Sequence, residues 1–248
     1  MKLKIFALAL FIGFFASCEK ESNSTDSVSS PGNGTGGSLA RFTIVGNYLY
    51  VANTNTLDVL DLTNPAHPQQ KESIPLGWPV ETIFPFDNNL FIGTSSGLYI
   101  FSLANPAKPE QLGQAQHFRS CDPVVANDSM AFVTLRGDTR CGPAVDGLYV
   151  HDIKDVNNPT LIKTFEMPTP SGLALNGRYL YVCQRDNGLS VIDVKNPANP
   201  TIIKQITDGY YNDAIVYKNL LVCYVSTGIK LLDISTPENP VYLSIVQN

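Results

Sequence analysis

From residue 39 onward the hydrophobic positions of this chain fall in short runs broken by glycine, proline and asparagine, the punctuation of strands joined by tight turns. The stretch around residues 172–206 is the clearest. Gly172 to Leu175 predicts a first strand, Asn176-Gly177 a hairpin turn, and Tyr179 to Cys183 a second strand. After a loop, Leu189 to Val194 predicts a third strand and Thr201 to Ile206 a fourth. The third strands are apolar on both faces: Leu98 and Ile100 oppose Phe101 and Leu103, and Leu189 and Val191 oppose Ile192 and Val194. A small sheet that is greasy on both faces needs a neighbour on each side, which radial stacking supplies.

The pattern repeats. Asp61-Leu-Thr-Asn-Pro65-Ala-His-Pro68 returns as Ser102-Leu-Ala-Asn-Pro106-Ala-Lys-Pro109, as Asp193-Val-Lys-Asn-Pro197-Ala-Asn-Pro200 and as Asp233-Ile-Ser-Thr-Pro237-Glu-Asn-Pro240. A third copy, Asp152 to Pro159, has lost one proline. Measured between the leading Asp or Ser, the spacings are 41, 50, 41 and 40 residues. A period near forty with strand signals predicts an all-β, five-bladed β-propeller of four-stranded antiparallel blades. The units run about 39–77, 78–118, 119–169, 170–209 and 210–248. Proline cannot donate to a ladder, so the Asn-Pro…Pro segment ends the third strand and starts the fourth at a fixed place. The second strands end in a small residue, read as Ala52, Gly93, Thr134, Cys183 and Cys223, as a crowded contact between blades demands. No strand is left over to cross between the first and last blades, so a closed ring is expected to be sealed by packing alone; an open array would leave two apolar blade faces wet.

Leu189-Ser190-Val191-Ile192-Asp193-Val194, with Asn196-Pro197…Pro200, resembles the LVIVD-repeat family of secreted and surface β-propellers, and the resemblance covers all five units. It implies architecture and exposure; it supplies no catalytic residues to carry over. Asp193 and its equivalents read as turn caps.

The first 38 residues differ from the rest. Lys2 and Lys4 precede an unbroken apolar run from Ile5 to Ala16, too short to span a bilayer as a helix, so residues 1–17 read as a secretory signal. Phe15-Ala16-Ser17-Cys18 resembles a lipobox, which implies cleavage before Cys18 and a lipid on its sulfur, anchoring the protein in the cell envelope, at the outer membrane. The charged residues after Cys18 resemble the surface-export signals of Bacteroidota lipoproteins. Residues 18–38 then form a disordered Ser/Gly-rich tether with a reach of roughly 25 Å. Its Gly-x-Gly-x-x-Gly stretch has no strand before it and no helix after it, which excludes a dinucleotide loop.

Net charge is −5, and loss of Lys2 and Lys4 would take it to −7. That excludes nucleic acid as a partner, since phosphate binding needs a basic face. The third unit carries an insertion between Val133 and Leu148 containing Cys141, and Cys121 opens the same unit. In an exported blade these two ends meet, which predicts a Cys121–Cys141 disulfide worth about 3 kcal/mol. Cys183 and Cys223 read as buried small hydrophobes.

Catalytic constellations are sparse. Gly93-Thr94-Ser95-Ser96-Gly97 is followed by a strand, against a hydrolase elbow. The three histidines show no zinc spacing, and no metal site or cofactor is assigned. Candidates come instead from the architecture, in which first strands line the axis and second-strand loops gather at one mouth. That mouth is expected to collect Trp78, Glu81, Arg119, Asp122, Arg136, Arg185, Tyr211, Asn212 and Asp213. The competing reading is that its acids cap sheet ends and Trp78 wedges between blades. Such a rim suits a sugar or extended peptide. The sequence thus points to a lipid-anchored, non-catalytic binding or scaffold module for a protein or glycan. The alternative is a propeller enzyme, a lactonase-like hydrolase or glycan lyase, with Glu81, Asp122 and Asp213 holding a divalent cation.

Overall fold

A computed structural model describes residues 37–116, 123–137 and 145–247. It contains five four-stranded sheets, each an antiparallel meander of strands consecutive in sequence. The blades cover 42–75, 80–116, 124–166, 173–206 and 211–247. In blade 4 the strands are Leu173–Asn176, Tyr179–Cys183, Leu189–Asp193 and Thr201–Ile206. The Asn176-Gly177 hairpin places Gly177 at φ +58°, a conformation glycine adopts without penalty.

The repeat motif works as a turn. Asp61, Ser102, Asp152, Asp193 and Asp233 each accept a hydrogen bond from the backbone N–H two residues on, at 2.7–3.1 Å. A second turn follows in every blade: His67, Lys108, Asn158, Asn199 and Asn239 each donate to the carbonyl three residues back, at 2.9–3.0 Å. Blade 3 keeps this turn without its first proline because Asp155 accepts from the Asn157 N–H at 3.0 Å and from Asn158 Nδ2 at 2.7 Å. Each blade also has a one-residue register shift between its third and fourth strands, beside the leading Asp or Ser.

The cores lie between blades. One apolar cluster joins blades 1 and 2, a second blades 2 and 3, a third blades 3 and 4, a fourth blades 4 and 5. Among the described residues no cluster joins blade 5 to blade 1. Leu90, Ile92, Leu180 and Val182 are fully buried, but their blade 1 equivalents, Leu49 and Val51, are half-exposed, and Phe42 beside them is 65% exposed. On the far face of blade 5, Val222 replaces the buried Tyr50, Phe91, Phe132 and Tyr181 and is half-exposed. The closed ring expected from packing is therefore corrected: among the described residues nothing packs on one apolar face of blade 1 and one of blade 5.

The pairing register corrects a second expectation. Leu220 opposes Asp233 as Tyr179 opposes Asp193, so the fifth member of the small-residue series is Tyr224, not Cys223. A tyrosine fits there, 50% exposed, because no blade packs on that side. Cys183 and Cys223 consequently lie on facing sides of the blade 4–5 core, both buried and unpaired. Burial pushes the Cys223 thiol up to about 12 and the Cys183 thiol well above its usual value. Neither should react with a thiol reagent in the native protein. Both should react on unfolding, and titration with and without denaturant checks this.

Candidate functional site

Two features aim side chains at the propeller axis. The first is a bulge near the start of certain first strands. Val80 pairs with Thr94 and Thr82 with Gly93, which leaves Glu81 as the extra residue. Tyr211 pairs with Val225 and Asp213 with Tyr224, which leaves Asn212 extra in blade 5. Ser171 precedes the blade 4 strand at the same level, where its N–H donates to the Cys183 carbonyl at 2.8 Å. Bulges re-aim side chains in this way and recur beside functional sites. The second feature is the loop after the second strand, which supplies Arg136 from blade 3 and Arg185 from blade 4.

Glu81, Thr82, Arg136, Ser171, Arg185 and Asn212 line one hollow of about 200 Å³ at this mouth, with Leu39 and Pro123. Arg185 is fixed at φ +50°, unusual for a side-chain-bearing residue. Its backbone is clamped by reciprocal hydrogen bonds with Tyr211 in the next blade, 2.9 Å from the Arg185 N–H and 3.1 Å back from the Tyr211 N–H. The Arg185 Nε is out of solvent with no hydrogen-bond partner among the described residues. Arg136 Nη1 donates to the Pro170 carbonyl at 3.4 Å. Behind the arginines, Gln184 is buried, donating to the Pro168 carbonyl and accepting from the Ser190 hydroxyl.

Trp78, Tyr211 and Asp213 lie elsewhere. Arg119 and Asp122, with the proposed disulfide cysteines Cys121 and Cys141, fall outside the described residues, as does Cys18. Trp78 is 47% exposed but does not line the hollow. Tyr211 is fully buried, with its hydroxyl donating to Asp208 at 2.7 Å and Lys230 Nζ 3.0 Å away, so it offers no platform to a ligand. Asp213 sits one residue past the bulge and turns to the chain entering blade 1. It accepts from the Ser38 hydroxyl at 3.1 Å, while Ser38 Oγ accepts from the Leu173 N–H at 2.7 Å and Ala40 accepts from the Ile83 N–H at 2.9 Å. Residues 38–40 thus tie blades 5, 4 and 2 together across the axis. Leu39 lines the polar mouth, and Ser38 lines a separate apolar hollow of about 420 Å³ with Phe84, Phe86, Leu173 and Ile215. The segment plugs the axis between them. Asp213 is thus committed to this segment, and Asp122 of the expected carboxylate trio lies outside the described residues.

Burial raises the Asp213 carboxyl to about 6, against the pull of hydrogen bonds from Ala214, Ser38 and Leu39. The folded state therefore takes up this proton before the unfolded chain does. The strain of holding the charged form is present above pH 6 and disappears as pH falls towards 4, a change of about 2 kcal/mol. Urea unfolding of wild type and Asp213→Asn from pH 7 to pH 4.5 should show the wild type gaining stability relative to the variant.

Axial first strands, radial cores and a polar mouth define a β-propeller with its candidate site at one end of the axis. The family model for the LVIVD repeat matches residues 36–75 and 170–208, so blades 1 and 4 are each similar to that repeat. No curated protein matches it in sequence. Among solved structures it is similar to a protein from Lactobacillus plantarum, at TM-score 0.65 and 15% identity over 83% of this chain and 74% of the other. It is similar to the periplasmic gluconolactonase PpgL of Pseudomonas aeruginosa, at TM-score 0.61 and 14% identity over 82% and 68%. It is also similar to BamB from Moraxella catarrhalis, at TM-score 0.58 and 10% identity over 75% and 53%. These likenesses are of fold.

Proposed function

We propose that this protein is an envelope lipoprotein that uses its propeller as a non-catalytic binding or scaffold module for a protein or glycan. The observation that carries the reading is the polar mouth. Glu81, Arg136, Ser171, Arg185 and Asn212 come from four blades to one hollow, and among the described residues no salt bridge links Glu81 to Arg185. A glutamate and an arginine held apart across a cavity on a rigid scaffold are arranged for a ligand rather than for each other. In this reading the lipid on Cys18 fixes the protein to the outer membrane, and residues 19–36 let the mouth reach its partner; the tether read as 18–38 is shortened because Gly37 and Ser38 are buried in the propeller.

A second reading, a propeller hydrolase, draws on the fold likeness to the Pseudomonas gluconolactonase. Cross-linking pull-downs from intact envelopes separate the two. Wild-type, Arg136→Ala/Arg185→Ala and Cys18→Ala proteins are compared, each in full-length form. A stoichiometric partner lost from the double-arginine variant supports the binding module. Lactone turnover by the purified protein that disappears in Glu81→Ala overturns it.

A further inference from the structure

We infer that the axial mouth takes a small hydroxylated carboxylate, a sugar acid or an acidic residue of a glycan, with Arg185 as the carboxylate anchor. The inference deepens the binding reading and depends on it. The first ground is charge. Although the whole chain carries −5, two arginines from different blades reach this hollow, and among the described residues no ion pair joins Arg185 to Glu81. A net-acidic protein that gathers arginines at one concave site has set that site apart for an anion.

The second ground is the state of Arg185. Its backbone occupies the left-handed region and is held there by the two Tyr211 hydrogen bonds. The loop thus accepts local strain to set the side chain's origin, as functional loops do. The side chain then receives nothing in return: no described group accepts a hydrogen bond from its guanidinium, and its Nε is shielded from water. A buried donor without a partner is costly, and a ligand carboxylate removes that cost through the forked geometry that arginine offers.

The third ground is what surrounds it. Glu81 only accepts when ionised, Asn212 does both, and the Ser171 hydroxyl already donates to the Cys183 carbonyl at 3.2 Å, so it retains acceptor capacity. A ligand satisfying this set needs hydroxyl donors beside its carboxylate. Inorganic phosphate would place a second negative charge against Glu81. The size agrees: about 200 Å³ accommodates one monosaccharide-sized unit and not an extended oligomer, so a longer glycan would insert a terminal acidic residue.

The test is calorimetric titration of the full-length protein in detergent with D-glucuronate, D-glucose and inorganic phosphate. The expected result is saturable glucuronate binding, with glucose and phosphate at least tenfold weaker. Arg185→Ala should weaken glucuronate by about ten- to a hundredfold without lowering the melting temperature of the ligand-free protein, because the Tyr211 contacts are made by backbone and a buried unpaired donor is removed. Arg185→Lys keeps the charge but loses the fork and should fall between. Equal binding of glucose and glucuronate overturns the inference, as does glucuronate binding indifferent to Arg185→Ala, or no glucuronate binding at millimolar concentration. If the double-arginine variant still loses its envelope partner in any of these cases, the binding-module reading stands and only the ligand class has failed.

Discussion

Replacing Gly172 by alanine should destabilise the propeller by about 3 kcal/mol, an overpacking cost at the upper end of the usual range. The added Cβ would lie 2.6 Å from the Asp213 Cα and 2.7 Å from its Cγ, with Asp213 Oδ1 nearer still. A flexible side chain can swing away, but a backbone Cα cannot without moving the strand. The strands concerned are the axial ones of blades 4 and 5, and Asp213 also holds Ser38. The substitution therefore pries apart two blades and loosens the axial plug together. For a domain of this size the melting temperature should fall by roughly 10 °C. Differential scanning calorimetry checks it, and an unchanged transition would mean that residues 37–40 do not bind the axis as described.

Gly188→Ala should cost a similar amount for a different reason. Gly188 opens the third strand of blade 4 at φ +88°, where an L side chain is strained whatever space surrounds it. Its Cβ would also run into the carbonyl of Ile206 on the fourth strand, with Thr207 Cα at 3.0 Å. The two penalties add, and a loss of about 3 kcal/mol or more is expected. Gly97, Gly147 and Gly228 open the third strands of blades 2, 3 and 5 against the carbonyls of Ala115, Phe165 and Val246. Blade 1 has Thr56 at the corresponding place, paired with Pro75. Thr56→Gly should therefore be nearly neutral where Gly188→Ala is severe, and urea midpoints of the two variants compare them directly.

The blades were legible because their signals are local. A proline that cannot donate, an Asn-Gly turn and an Asp that caps the N–H two residues on act within a few residues of themselves. The mouth was partly legible for the same reason: Arg136 and Arg185 follow second strands, and their positions come from counting strands. The bulges were not. A bulge leaves no composition mark, and aligning blade 5 on Cys223 shifted that blade by one residue. Counted from Cys223 the position equivalent to Glu81 is Tyr211, whereas counted from Tyr224 it is Asn212, the residue the bulge presents. The informative residue was Tyr224. A bulky side chain where the other blades carry alanine, glycine, threonine or cysteine marks a face that no blade covers, and with it the open side of the array. Tyr211 was misplaced for want of long-range information, since only the fold brings Asp208 and Lys230 to its hydroxyl.

The uncovered faces of blades 1 and 5 are the natural rivals to the mouth as a binding surface, being apolar and wet. Site-specific photo-cross-linking in intact envelopes decides between them. One full-length variant carries the photoreactive residue in place of Asn212 at the mouth, another in place of Tyr217 on the outer face of blade 5, and a third in place of Phe42 on blade 1. The account predicts a discrete adduct from position 212 that Arg185→Ala abolishes, with none from 217 or 42. Adducts confined to 217 and 42, with position 212 silent, would contradict it and move the recognition surface from the axis to the open blade faces.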